Sequence, residues 1–139
     1  GDLFHSDYNL EWEQWLLFFK FSNLSFKLII GNHDSINFKI ENLSILKYWN
    51  KHPFHFSHYP VKDLEIFNLC GHIHPSFVLK GKGRQKIKLP CFYISTHQLI
   101  FPSFGTFTGT HIIHLKKSAD EIILISKEGL FPLEQANSI

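Results

Sequence analysis

A chain of 139 residues with a formal net charge of +2 is one domain's worth of sequence, too weakly basic for charge alone to argue a nucleic-acid partner. Its 44% hydrophobic and 19% charged residues describe a globular chain, long enough to bury about two-thirds of its unfolded surface without disulfide staples. No apolar run reaches the roughly eighteen residues of a membrane span, so the fifteen Phe, three Trp and four Tyr are expected inside and no membrane partner is expected.

The chain opens on Gly1-Asp2-Leu3-Phe4-His5 and contains no Met. Gly-Asp is a pair that should follow a strand, so the chain is expected to be a fragment lacking at least its first strand. After a loop through Ser6 and Asp7, Asn9 is placed to cap a helix running to about residue 23, with Trp12, Trp15, Leu16 and Phe19 as its inner stripe. Both tryptophans of that stripe read as core anchors. Residues 26–30 are almost wholly apolar, as a strand covered on both faces would be. They end in Gly31-Asn32-His33-Asp34, where glycine permits a sharp turn that brings three polar side chains together.

Residues 35–50 carry a weaker signal, a helix or loop followed by a short strand at 43–48. Pro53 and Pro60 bracket the next strand, in which Phe54 and Phe56 alternate with His55 and Ser57, so that His55 faces away from the phenylalanines. His52 and His55 read as surface or hydrogen-bonded histidines, whereas His58 lies just past the strand end. Residues 66–70 climb to Gly71 and deliver His72 and His74. Beyond Pro75 the pattern is all β: 77–79 and 86–89 flank a glycine-punctuated hairpin turn, further strands are expected near 91–95, 111–115 and 122–125, and 102–109 read as a loop. The tail after Gly129 carries no legible chemistry. Cys70 and Cys91 sit in apolar surroundings and read as buried free thiols of a reducing cytoplasm.

Four strand ends therefore offer only His, Asp and Asn, which is the make-up of a metal site. Asp2, Asn32, His58 and His72 supply two oxygens and two imidazole nitrogens, a set that suits Mn, Fe or Zn better than Ca or Mg. The cysteines are too far apart for a zinc finger. No nucleophile elbow or phosphate-binding P-loop is present. His33 and Asp34 remain beside Asn32, and a carboxylate that orients an imidazole gives a proton donor usable near neutral pH. Asp34 as a helix cap fits the same residues.

Gly1-Asp2, Gly31-Asn32-His33-Asp34, His58 and Gly71-His72-Ile73-His74 stand in the order and spacing of the calcineurin-like metallophosphoesterases, which the chain resembles. More narrowly, Gly1-Asp2-Leu3-Phe4-His5-Ser6, Ser57-His58-Tyr59-Pro60, Arg84-Gln85, Leu89-Pro90-Cys91-Phe92 and Phe104-Gly105-Thr106-Phe107-Thr108-Gly109 are similar to the bacterial DNA ligase-associated members, a family of DNA-damage-response endonucleases. The resemblance implies a four-layer α/β/β/α sandwich of two mixed sheets, lacking its first strand, with residues 1–139 forming a partial phosphoesterase domain. It implies two divalent transition-metal ions in the intact protein, Mn favoured and Fe or Zn as alternatives. Asp2 would bridge them, Asn32, His58 and His72 would complete one, and His74 would bind the other. A metal-bridging hydroxide would attack phosphorus, with His33 as proton donor oriented by Asp34. His5 would lie behind the ligands.

The family's first motif, Asp-x-His, supplies two ligands to the metal that His74 binds, and no Asp here has a His two residues later. The motif is expected upstream, and the present chain is expected to hold one metal firmly at most. Lys80, Lys82, Arg84, Lys86 and Lys88 fall at every second position, so an extended hairpin would present them largely as one basic face. A solvated hairpin tip and a track for a phosphate backbone both fit that stripe. The function so implied is a phosphodiesterase or nuclease acting on nucleic acid, possible substrates including DNA, with a DNA-repair ligase or helicase as partner. The alternatives are a cyclic-nucleotide phosphodiesterase or phosphomonoesterase, and a non-catalytic protein-binding scaffold of the same fold.

Overall fold

A computed structural model describes residues 1–4, 10–36, 39–62, 65–105, 108–115 and 119–133. The Asn9 cap, His5, and Thr106 and Phe107 lie outside the described residues. Among these residues one α-helix, α1 (Leu10–Phe21), precedes eleven strands: β1 (Phe26–Ile29), β2 (Leu43–Leu46), β3 (Tyr48–Lys51), β4 (Phe54–Ser57), β5 (Phe67–Cys70), β6 (Pro75–Lys80), β7 (Lys86–Ile94), β8 (Gln98–Ile100), β9 (His111–Ile112), β10 (Glu121–Ser126) and β11 (Gly129–Pro132). They form the mixed α/β architecture of two sheets that the sequence implied. Among the described residues no helix is long and apolar enough to cross a membrane.

α1 begins with Glu11 and Glu13 and ends with Lys20, charges that complement the helix dipole at each end. Its last carbonyls are met from outside, since Asn42 Nδ2 donates to the carbonyls of Phe19 (3.0 Å) and Ser22 (3.4 Å). Trp12 and Phe19 are buried with Phe4, Leu28 and Ile40 in a core between the helix and the small sheet, where β1 and β2 pair in parallel. Trp15 departs from the expected stripe: it is 40% exposed and packs its ring on Phe19 at 5.8 Å. At about 100° per residue it sits roughly 60° off the line of Trp12, at the flank of the face the helix can bury. β1 differs too, because of its four residues only Leu28 is buried.

The larger sheet runs β11-β10-β7-β8-β5-β4-β3, with β6 and β9 attached beside β7. Its centre is parallel: β4 pairs with β5 and β5 with β8, so residues leaving these strands emerge on one edge. The expected strand 43–48 is two strands that part at Lys47. The strands expected at 86–89 and 91–95 are one, β7, which pairs with β6 up to Pro90 and with β10 from Cys91 onward. Pro90, having no N–H to give, stands where the strand changes partners. A second core of Cys91, Ile122 and Leu124 lies there, packed against Phe77, Leu79 and Leu89.

Candidate metal centre

The site begins with two glycines. A Cβ on Gly31 would lie 2.1 Å from Asp2 Oδ1, and one on Gly1 would lie 2.6 Å from the Gly31 nitrogen, so the two backbones meet at a distance only glycine allows. The Asp34 carboxylate fastens them: Oδ2 accepts the N–H groups of Asp2 (2.7 Å) and Gly31 (2.8 Å), and Oδ1 accepts that of Phe4 (2.8 Å). No helix follows at residues 34–36, so Asp34 caps a pair of loops instead of a helix. Asp2, so held, accepts the His33 N–H on Oδ1 at 2.9 Å and turns Oδ2 toward His58.

His58 is 5% exposed and forms the centre of the cluster. Its Nε2 lies 3.0 Å from Asn32 Oδ1, 3.1 Å from His72 Nδ1 and 3.5 Å from Asp2 Oδ2. Burial pushes the His58 imidazole below its ordinary value, the Asp2 charge opposing, which favours the neutral ring with a lone pair to give. Among the described residues no group of three or more His, Cys, Asp and Glu side chains is placed to hold a metal ion by itself, and the converging group includes the Asn32 amide. Its spacing suits a cation nonetheless. Donors bonded to one ion at about 2.0–2.2 Å stand about 3.0–3.5 Å from each other, which is the separation of His58 Nε2 from each of the other three.

His74 lies on the same edge but is held separately, its Nδ1–H donating to the Gly109 carbonyl at 3.0 Å. That bond leaves Nε2 as the lone-pair nitrogen, which is how an outer carbonyl prepares a ligating histidine. Asp2, His72 and His74 have φ of 60°, 65° and 51°, three of the five non-glycine residues with positive φ among the described residues. Backbone held there costs of order 1–3 kcal/mol per residue and gathers at functional sites. Asp2, His58, His72 and His74 line an open cleft of about 580 Å³ together with Phe101 and Phe104.

The structure thus brings Asp2, Asn32, His58 and His72 together, with His74 lining the same cleft and His33 exposed next to Asn32 in the chain. The five basic residues are all exposed, but the hairpin tip is a 3-10 turn at Lys82–Arg84 with Gly83 and Arg84 at positive φ. Strand alternation therefore governs only Lys80, Lys86 and Lys88, where Lys80 stands opposite Lys86 and Val78 opposite Lys88. Two residues escaped the sequence reading. Tyr59 lays its ring 4.4 Å from that of His72 and edge-on to His58. Asn68 is fully buried in an otherwise apolar strand, and that lone polar residue was the signal available.

A family model described as calcineurin-like phosphoesterase matches residues 1–129. Among solved structures, the crystal structure of the Pseudomonas putida nuclease MPE is similar to this chain at 34% identity and a TM-score of 0.69 over 88% of its length. The chain spans 59% of that nuclease. No curated protein matches it.

Proposed function

The chain belongs to the calcineurin-like phosphoesterase family, and from that premise we propose that it is a metal-dependent phosphodiesterase acting on nucleic acid. The observation that carries the proposal is the spacing of Asp2, Asn32 and His72 about His58 Nε2, at 3.0 to 3.5 Å. Those four residues would hold one divalent transition-metal ion, and His74, its Nδ1–H committed to Gly109, would serve a second. The donor set suits Mn, Fe or Zn. When bound, such ions supply a nucleophilic water at neutral pH and neutralise charge on phosphoryl oxygens.

The chain's own residues do the rest. Asp34 holds the turn that carries His33 by clamping Gly31, and His33, exposed and adjacent in the chain to Asn32, donates a proton to the leaving oxygen. The cleft admits an extended phosphodiester, bordered by Phe101 and Phe104. Nucleic acid as the substrate is supported by likeness to a nuclease and by the basic hairpin.

The test is hydrolysis of a chromogenic phosphodiester and of single-stranded DNA with added Mn, by the parent and by His33→Ala. Mn-dependent turnover of both substrates that falls by about two orders of magnitude or more in the variant supports the proposal. Turnover of a phosphomonoester or cyclic nucleotide alone would move the substrate class. Bound Mn with no turnover of any ester would leave a binding scaffold.

A further inference from the structure

Asn68 is 0% exposed on β5, two residues before Cys70 at the end that delivers His72, and it is an amide where an aliphatic side chain would fill the space at no desolvation cost. All its hydrogen-bonding reach goes to one neighbouring segment. Nδ2 donates to the His55 carbonyl (3.1 Å) and to Ser57 Oγ (2.8 Å), and Oδ1 accepts the Val61 N–H (3.1 Å). Ser57 Oγ passes the connection on by donating to the Tyr59 carbonyl at 2.6 Å. Residues 55, 57, 59 and 61 are thus tied, directly or through one hydroxyl, to a single side chain, and His58 is in the middle of them. The Gly71 N–H donates to the His58 carbonyl at 3.0 Å, a second tie from the same strand end.

We propose that Asn68 is a positioning residue for metal binding: it fixes the segment leaving β4 against the end of β5, so that His58 Nε2 is held within reach of Asn32, His72 and Asp2. The inference rests on the reading of His58 as a ligand. An imidazole whose backbone could shift by an ångström would lose the 3.0 to 3.5 Å spacing on which that reading stands. Sheet pairing alone does not fix it, because β4 ends at Ser57 and its register with β5 ends at Phe56 and Leu69. Beyond that point, the ties to Asn68 and Gly71 hold the chain.

The experiment measures Mn binding by loss of the free-ion electron paramagnetic signal, with thermal unfolding of the metal-free proteins alongside, for the parent, Asn68→Leu, Ser57→Ala and His58→Ala. Asn68→Leu keeps the branched shape and number of heavy atoms and makes none of the bonds. It is expected to weaken Mn binding by about tenfold or more at a temperature where it remains folded. Ser57→Ala, which removes the Asn68–Ser57 bond and the link on to Tyr59 but keeps the Asn68 bonds to His55 and Val61, is expected to weaken binding by about threefold. A purely structural Asn68 would lower the melting temperature and leave the affinity of the folded protein alone, and that result overturns the inference. If Asn68→Leu does not fold, an unchanged affinity in Ser57→Ala overturns it. A His58→Ala protein that binds Mn as the parent does sinks the reading of His58 as a ligand, and the inference with it.

Discussion

A methyl group on Gly31 would fall 2.1 Å from Asp2 Oδ1 and 2.6 Å from the Asp2 nitrogen, so the Gly31→Ala protein must move the loop that carries the carboxylate. Overpacking of this kind costs about 1–3 kcal/mol. The larger effect is expected in ligand geometry, since Asp34 clamps both loops at once. Titration of Gly31→Ala with Mn should show affinity reduced out of proportion to its loss of melting temperature; parent-like affinity would show that the close approach does not serve the site. A second residue-scale effect is independent of the metal. Tyr93 donates its hydroxyl to the buried Asp120 at 2.9 Å, and burial first, then that bond and charge, push the phenol up to about 12. The folded state therefore holds this proton more tightly than the unfolded chain, whose phenol titrates near pH 10. The stabilisation is fully present below about pH 10 and is lost as pH rises toward 12. Urea unfolding across that range should find the parent losing more stability than Tyr93→Phe, and equal slopes would remove Tyr93 from the account.

At the scale of elements, the helix separates two tryptophans that look alike in the sequence. Trp12 is buried and lies 4.3 Å from the Phe4 ring, whereas Trp15 is 40% exposed. Trp12→Ala is expected to cost about 3–5 kcal/mol in urea unfolding, as an emptied aromatic core position does. Trp15→Ala is expected to cost no more than about 1 kcal/mol, close to other surface changes. Comparable losses would mean that the flank of the helix is buried in solution. Those two residues also mark how far the sequence could be read. Glycine followed by polar side chains at an apolar strand's end is a pattern that local chemistry imposes, so the turns at 31–34 and 71–74 were legible. The hairpin was legible from its alternation and glycines. Hidden was what depends on distant partners: β8 is three residues, Gln98-Leu99-Ile100, too short for a period, and is a strand because β5 and β7 flank it. The continuity of β7 through Pro90 depends likewise on β6 and β10. The Asp34 clamp on the Asp2 and Phe4 amides crosses about thirty residues of sequence, beyond any local pattern.

At the scale of the molecule, the candidate metal centre and the basic hairpin share one stretch of chain. β6 starts at Pro75, immediately after His74, and carries Lys80 away from the site along a strand. Six residues at about 3.3 Å each separate the two by roughly 20 Å, a span of about six nucleotides at the roughly 3.4 Å spacing of a stacked strand, and fewer when the strand is extended. A chromogenic diester occupying the cleft would not reach the hairpin, while a polynucleotide would touch both. The three strand-borne lysines, Lys80, Lys86 and Lys88, can therefore be removed together without disturbing Asp2, Asn32, His58 or His72. The triple alanine variant should hydrolyse the small diester at the parent's rate. Its binding to single-stranded DNA should depend less on salt, the slope of log affinity against log salt falling by about 2 in magnitude, since each phosphate contact on a single strand contributes about 0.7. An unchanged slope with unchanged small-substrate turnover would mean that the hairpin is only a solvated tip and that nucleic acid, if it binds, follows another path out of the cleft.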